Sequence, residues 1–316
     1  MKIINPCVEL IQQESGFDGI IRHIEKCGRT CYKSENKITQ DSANKFVDKL
    51  LENKHYAMLE HGTVYLSIRR FLNPKDETEL SKYEHNPYSY YNELIFGDCS
   101  KGFYVTTNYR VLVENNWLDD LQYICEPTVF HVPRITLKFT TNIGVTREGN
   151  RMRANSIAEE STRYCNYTKD KFGSGLNIVP PIWMDNEHDL FALKDWDQDQ
   201  WLTYIKNVLD TKNPDFLNCD DIDWYGMAIA FSEMVYTQLI RHGWTPQQAR
   251  EVLPLATKSE VVYTAFPHQW KHFFDLRYYG ITGMPHPNMK AIASKARDIL
   301  IANNIWKLIY PNNEAD

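Results

Sequence analysis

Three arginines, two glutamates and two serines fall within the fourteen residues from Arg151 to Tyr164, in a chain that is acidic overall. The guanidinium group of arginine is planar and can bind a phosphate through two parallel hydrogen bonds. Serine hydroxyls and backbone N–H groups can complete such a site, and the carboxylates can accept ribose hydroxyls or hold the arginines in place. The stretch therefore indicates a site for a phosphorylated small molecule, most simply a nucleotide.

The same stretch resembles the signature of the flavin-dependent thymidylate synthases (ThyX), in which Arg-His-Arg-x-x-Ser precedes Glu-x-Ser-x-Arg-Tyr. The matching residues are Arg151, Arg153, Ser156, Glu159, Ser161, Arg163 and Tyr164. Met152 replaces the central His, and a Met cannot donate a hydrogen bond to phosphate or flavin. The alternative is a solvated helix face with an i,i+4 pair between Glu159 and Arg163, but the long ordered match favours the family.

Two segments of the C-terminal half carry the resemblance further. Gln248-Ala-Arg-Glu-Val-Leu-Pro254 is similar to the Gln-Ala-Arg-x-x-Leu-Pro segment of the family, which implies that Arg250 contacts the nucleotide. A segment ending in Leu276-Arg277 follows at the family's distance without a gap. The resemblance implies that Arg277 is the catalytic residue, which stabilises negative charge developing on the uracil ring.

Leu59-Glu-His-Gly-Thr63 resembles the family's Glu-His segment at the start of a strand. The cofactor contacts that the resemblance implies are His61, Thr63, Arg151, Met152, Arg153, Glu159, Phe266, His268 and His272. The implied substrate contacts are Glu148, Arg151, Glu159, Glu160, Ser161, Thr162, Arg163, Arg250 and Arg277. Glu148 stands where the family commonly has Gln, and we expect it to repel the substrate phosphate unless it pairs with Arg147 or Arg151.

The implied activity is reductive methylation of dUMP to dTMP with FAD as cofactor and with methylenetetrahydrofolate and NADPH as co-substrates. Family members are homotetramers whose active sites combine several subunits, so we expect the same assembly here. One alternative is a catalytically impaired nucleotide-binding member of the fold, because Met152 replaces the usual His. Another is a zinc hydrolase using His268, His272 and His286, but Gln269 stands where its general base would be Glu, so we predict no metal.

The composition limits the class of protein. The chain has 316 residues, 43% of them hydrophobic, and a net charge of −6, which argues against broad nucleic-acid binding. Its seven cysteines include no Cys-x-x-Cys pair, as expected of a reduced cytoplasmic protein. The N-terminus lacks the apolar region of a secretory signal, and no apolar run is long enough to span a membrane.

The hydrophobic patterns predict an α/β protein of the α+β type, with a mostly antiparallel sheet, flanking helices and a helical C-terminal half. We expect one domain over residues 1–316, with insertions at 70–130 and 168–222, the first of them a loop or helical excursion over 73–100. Predicted strands cover 63–68, 101–112 and 134–140. Predicted helices cover 18–31, 41–54, 224–241, 259–278 and 287–308, and the apolar 224–241 helix should be buried on most faces.

Overall fold

The computed structural model describes residues 2–71, 80–97, 100–152, 155–169, 175–184, 198–209 and 220–312. The strands are β1 (Lys2–Ile3), β2 (Cys7–Leu10), β3 (Thr63–Phe71), β4 (Tyr90–Ile95), β5 (Ser100–Asn108), β6 (Ile135–Asn142), β7 (Ser156–Glu159), β8 (Asn177–Ile178) and β9 (Lys258–Ala265). The α-helices are α1 (Gly16–Tyr32), α2 (Ser42–Glu52), α3 (Tyr109–Glu114), α4 (Ile143–Gly149), α5 (Gln198–Leu209), α6 (Asp221–Arg241), α7 (Pro246–Ala249), α8 (Pro267–Phe274), α9 (Pro287–Ala302) and α10 (Trp306–Ile309).

Two antiparallel sheets form the framework. The larger has the strand order β2-β6-β9-β7, the smaller has the order β3-β5-β4, and β1 pairs with β8 in parallel. Helices cover the larger sheet on both sides, with α1 contacting β7 and β9, and α9 contacting β2 and β6. The prediction of a mostly antiparallel sheet with flanking helices is therefore confirmed.

Strand β9 lies at the centre of the larger sheet, and all eight of its residues are buried. Successive side chains of a strand point to opposite faces, and here each face has its own core. Val262 joins the core formed with α1, α2 and the smaller sheet. Val261 and Tyr263 join the core formed with α8, α9 and α10. The strand thus holds the two halves of the chain together.

Two predicted boundaries are wrong. The predicted strand 101–112 ends at Asn108, whose side chain accepts a hydrogen bond from the backbone N–H of Val111 and so begins α3. The predicted helix 259–278 begins instead as strand β9, because its β-branched residues pair with β6 along eight positions. Helix α8 starts only at Pro267, in the first helical position that proline favours.

The 224–241 helix is confirmed as α6, but its predicted burial is wrong, because Trp224 is 45% exposed and Phe231 is 54% exposed. The loop or helical excursion predicted over 73–100 contains strand β4. The insertions at 70–130 and 168–222 stay predictions, and residues 72–79, 98–99, 170–174, 185–197 and 210–219 lie outside the described part. No helix in the described part is long and apolar enough to cross a membrane.

A buried chain of hydrogen bonds joins α1 to the 3-10 turn that precedes β3. His23 Nε2 lies 3.1 Å from Thr136 Oγ1, which lies 2.8 Å from Thr264 Oγ1, and His61 Nδ1 lies 2.8 Å from the same Thr264 oxygen. Burial, together with the nearby Arg134 charge, lowers the pKa of His23 from 6.5 to about 3. Burial likewise holds the pKa of His61 well below its usual value. Both imidazoles are therefore neutral at neutral pH.

This chain of hydrogen bonds predicts a loss of stability in mild acid. Below pH 6.5 the unfolded chain protonates His23 whereas the folded chain does not, so the free energy of unfolding falls as the pH decreases toward about 3. Urea unfolding between about pH 7.5 and pH 5.5 measures this slope. His23→Gln should remove up to about 1.4 kcal/mol per pH unit of it. The exposed control His242→Gln should keep the full slope, and an unchanged slope in His23→Gln would contradict the assignment.

Candidate functional site

The described part of the Arg151–Tyr164 stretch comprises residues 151–152 in the turn after α4, strand β7 and the turn that follows β7. Beside this turn lies an open cavity of about 630 Å³, bounded by α4 and by the segment after α7. The predicted substrate residues that line it are Glu159, Glu160, Ser161, Thr162 and Arg250. Two stretches that are almost ninety residues apart in sequence therefore meet at one cavity within a single chain.

Direct contacts hold the two stretches together. Arg250 Nη1 donates to Thr162 Oγ1 at 3.4 Å, and Arg163 Nε donates to Gln247 Oε1 at 3.1 Å. Arg250 is positioned by the short helix α7, where Gln248 Oε1 accepts a hydrogen bond from the backbone N–H of Thr245 at 2.9 Å. This hydrogen bond is part of a capping box between Thr245 and Gln248 at the start of α7.

The donors around the cavity suit an anion. Arg147 of α4 lines the same cavity as Ser161 and Thr162, and its side chain is exposed. With Arg250 it supplies two guanidinium groups, and the two hydroxyls add neutral donors. Arg147 was not assigned a substrate role from the sequence, although it stands only four residues before Arg151. The arrangement can bind a phosphate group.

A buried network of charges forms the wall behind the cavity. Lys258 Nζ lies 2.8 Å from a Glu160 carboxylate oxygen and 2.7 Å from Glu260 Oε1. Lys33 Nζ, from the end of α1, and Lys138 Nζ, from β6, lie 2.9 and 2.7 Å from the Glu260 carboxylate. Lys33 Nζ also lies 3.3 Å from Glu35 Oε1, so the three ammonium groups of the network are matched by three carboxylates.

The pKa values of the two carboxyl groups move in opposite directions. Burial raises the pKa of Glu160, against the attraction of Lys258. Burial would also raise the pKa of Glu260, but Lys258, Lys33 and Lys138 outweigh it and hold that pKa well below its usual range. Glu260 is therefore the permanently ionised member of the network.

Glu159 and Arg277 both contact residues at the end of α4. Glu159 accepts hydrogen bonds from Ser259 Oγ at 3.1 Å and from Asn150 Nδ2 at 2.9 Å. Arg277, on the π-helical turn Asp275–Tyr279, donates to the backbone oxygen of Glu148 at 2.9 Å, and its Nη1 lies 3.8 Å from the Glu148 carboxylate. Glu148 is thus paired, but with Arg277 instead of the expected Arg147 or Arg151.

The predicted cofactor residues divide into a buried and an exposed group. His61, Thr63 and Phe266 are buried, whereas Arg151, His268 and His272 are exposed. Arg153 lies outside the described residues. Among the described members of the predicted cofactor set, Glu159 alone lines the cavity at Arg250.

An aromatic cluster lies beside the exposed cofactor residue His268. The rings of Phe266 and His268 stack with centroids 6.0 Å apart, and Tyr90 of β4 packs against both at 4.9 and 5.8 Å. Arg134 lies behind Phe266, 5.6 Å from the centroid of its ring. Partial burial lowers the pKa of His268. Tyr90 lies in a segment to which the sequence assigned no chemistry, so only the fold brings it here.

Met152 is placed in the core. It is 6% exposed and packs in the apolar cluster of β6, β9, α8 and α9. Its neighbour Arg151 is exposed, so the turn after α4 separates the two side chains. Met152, which stands where the family has His, therefore fills space in the apolar core.

The described residues offer no site for the zinc ion of the alternative hydrolase function. Across the described ranges, no three His, Cys, Asp or Glu side chains lie together in a way that could hold a metal ion. Gln269, which replaces the zincin glutamate, accepts a hydrogen bond from the backbone N–H of Phe266 at 2.8 Å and so caps the start of α8.

The family model described as thymidylate synthase complementing protein matches residues 105–302. The chain belongs to this family. The resemblance drawn from the sequence motifs is therefore confirmed, and the matched range contains the Arg151–Tyr164 stretch, Arg250 and Arg277. His61 and Thr63 precede the matched range.

No curated protein matches the chain by sequence. Among solved structures, the chain is similar to the UMP/dUMP methylase PolB from Streptomyces cacaoi bound with 5-Br dUMP, at 14% identity and a TM-score of 0.40, covering 96% of this chain and 93% of that one. It is also similar to Thymidylate Synthase X from Helicobacter pylori with FAD and dUMP, at 11% identity and a TM-score of 0.39, covering 96% and 97%.

The buried charge network predicts a large effect of one substitution. Lys258→Met leaves Glu160 without its ammonium partner and Glu260 with one fewer, so it should lower the free energy of unfolding by about 3–5 kcal/mol. The matched control Lys271→Met removes an exposed pair with Asp275 and should cost less than about 1 kcal/mol. Urea unfolding at neutral pH measures both. Equal effects of the two substitutions would show that the network does not stabilise the fold.

Proposed function

We propose that this family member is a flavin-dependent thymidylate synthase, which converts dUMP to dTMP using FAD, methylenetetrahydrofolate and NADPH. The observation that carries the proposal is the convergence of the Glu159–Arg163 turn and Arg250 on one cavity with phosphate-binding donors. Family membership supports the same reading. The runner-up is a nucleotide-binding member without catalytic activity.

In the proposed complex the nucleotide phosphate lies between Arg250 and the hydroxyls of Ser161 and Thr162. Arg147, which lines the same cavity, supplies a second guanidinium. The ammonium group of Lys258 neutralises Glu160 at the back of the cavity, which limits the repulsion between this carboxylate and a bound phosphate. Glu159, held by Ser259 and Asn150, is positioned to accept a ribose hydroxyl.

Arg277 is the proposed catalytic residue. Its guanidinium is permanently charged, and a positive charge beside the uracil ring stabilises negative charge that develops there. The backbone of Glu148 fixes one nitrogen of this group at 2.9 Å. The carboxylate of Glu148 lies 3.8 Å away, so it partly offsets the positive charge of Arg277 but does not neutralise it. No nucleophile from the protein is required by this proposal.

The exposed group of cofactor residues fits FAD in chemical character. His268, His272 and Tyr90 offer ring surfaces for a flat isoalloxazine or adenine ring, and Arg151 offers a guanidinium for the diphosphate. His61, Thr63 and Phe266 lie in the layer beneath, where they hold the strand ends in place. When bound, FAD supplies the reducing equivalents of the reaction. The packing role of Met152 leaves Arg151 and the undescribed Arg153 as the phosphate partners in this proposal.

The open sides of the site support the proposed homotetramer with shared active sites. Arg151 and Arg163 are exposed in the single chain, and the cavity at Arg250 is open to solvent. The exposed Trp224 and Phe231 of α6 form an apolar surface of the kind that packs against another subunit. Further copies of the chain would cover the nucleotide and bring the two groups of cofactor residues to one site.

The test is an assay of the purified protein with dUMP, methylenetetrahydrofolate and NADPH, with and without FAD. The proposal predicts dTMP that forms only when FAD is present, and bleaching of bound flavin by NADPH that is faster with dUMP. Protein that binds dUMP but neither binds flavin at tens of micromolar concentration nor forms dTMP would leave the non-catalytic alternative.

Arg250 gives a more specific prediction. Arg250→Gln removes one charge-assisted hydrogen bond to the phosphate, so the KM for dUMP should rise about ten- to a hundredfold. The affinity for FAD should stay unchanged, because Arg250 is not a proposed flavin contact. Arg241→Gln is the matched control, an exposed arginine at the end of α6, and should leave KM unchanged. A normal KM in Arg250→Gln would place the phosphate elsewhere.

A further inference from the structure

A second cavity, of about 590 Å³, lies between the end of α1, the length of α2 and the turn after β7. We call it the lysine cavity, after Lys37, Lys45 and Lys49, which line it together with Arg29. Its described lining includes no Asp or Glu, although the chain as a whole carries a net charge of −6. The positive charge is therefore concentrated locally in a concave surface.

The lysines are available to a ligand, whereas Arg29 is not. Arg29 is buried and forms a two-nitrogen contact with Glu25, at 2.7 Å from Nε and 2.6 Å from Nη2. The three lysines are exposed, and within the described part of the chain none of them has an ion-pair partner. Lys45 and Lys49 lie one helical turn apart on α2, at a rise of about 6 Å. Such a row matches a ligand with successive negative charges.

Aromatic rings line the same cavity. Tyr32 and Tyr164 pack with ring centroids 5.9 Å apart, and the Tyr32 hydroxyl lies 3.3 Å from His55 Nδ1. Tyr164 is 58% exposed. Exposed rings beside cationic groups form a surface on which a flat ring can stack while its charged substituents reach the lysines.

The lysine cavity adjoins the nucleotide cavity. The backbone N–H of Ser161 donates to the backbone oxygen of Cys31 at 3.0 Å, so the turn after β7 is fixed to the end of α1. Cys31 lines the nucleotide cavity and the next residue, Tyr32, lines the lysine cavity. The two cavities are therefore neighbours that meet at residues 31 and 32.

We propose that the lysine cavity binds the outer, negatively charged part of a ring-bearing co-substrate whose reacting end approaches the nucleotide. This inference rests on the proposed function, which supplies two ligands of that chemistry. The glutamyl tail of a reduced folate carries a run of carboxylates, and NADPH carries phosphates. Lys45 and Lys49 provide affinity in either case, while Tyr32 and Tyr164 provide the stacking surface.

Isothermal titration of the intact protein without turnover tests the inference. The ligand pairs are pentaglutamyl against monoglutamyl tetrahydrofolate, and NADPH against NADH. In one of these pairs the more highly charged ligand should bind about tenfold tighter, with an advantage that shrinks as salt is added. The pair that shows the advantage identifies the ligand.

In the variant Lys45→Gln/Lys49→Gln, the affinity ratio between the more and the less highly charged ligand should fall about fivefold. The control Lys290→Gln/Lys307→Gln, on the exposed faces of α9 and α10, should keep it. Turnover of monoglutamyl folate by the control variant should stay within about twofold of that of the original protein. No charge-dependent advantage, or one that survives the loss of Lys45 and Lys49, would overturn the inference. Failure of the proposed function would be seen separately, as absence of dTMP formation by the unmodified protein.

Discussion

The need to neutralise two buried glutamates is the constraint on which the candidate site depends. Glu160 follows β7 and Glu260 lies in β9, and Lys258 contacts both carboxylates. A buried carboxylate that loses its partner costs several kcal/mol of stability. Displacing the lysines from α1 and β6 would therefore lower the free energy of unfolding. This network fixes the turn after β7 to the centre of the larger sheet, and with it the hydroxyls of Ser161 and Thr162 that face Arg250.

Residue types and spacing were sufficient to predict the family and much of the fold. The ordered motif around Arg151 indicated the family, and the segment from Gln248 to Pro254 carried the resemblance to Arg250. Strand β9 was predicted as helix because its identity depends on pairing with β6, more than a hundred residues earlier. The run Val261-Val262-Tyr263-Thr264, followed by Pro267, already carried the signal of a strand before a helix.

Side-chain direction was the part that the motif could not give. Arg151 and Met152 are adjacent, but one is exposed and the other is packed in the core. Glu148 was expected to need Arg147 or Arg151 and instead pairs with Arg277. These outcomes depend on how α4 ends against the π-helical turn after α8, which is a tertiary contact. In the proposed assembly, contacts from another subunit would likewise set the surroundings of the site residues that are exposed in the single chain.

Titration of dUMP and of deoxyuridine into the flavin-free protein tests the central claim most directly, because the two ligands differ only in the phosphate. The account predicts that dUMP binds at least about tenfold tighter than deoxyuridine and that Arg250→Gln abolishes most of this difference. Equal affinity for the two ligands, or a difference that Arg250→Gln leaves intact, would contradict the claim that the cavity between the turn after β7 and Arg250 binds the nucleotide phosphate.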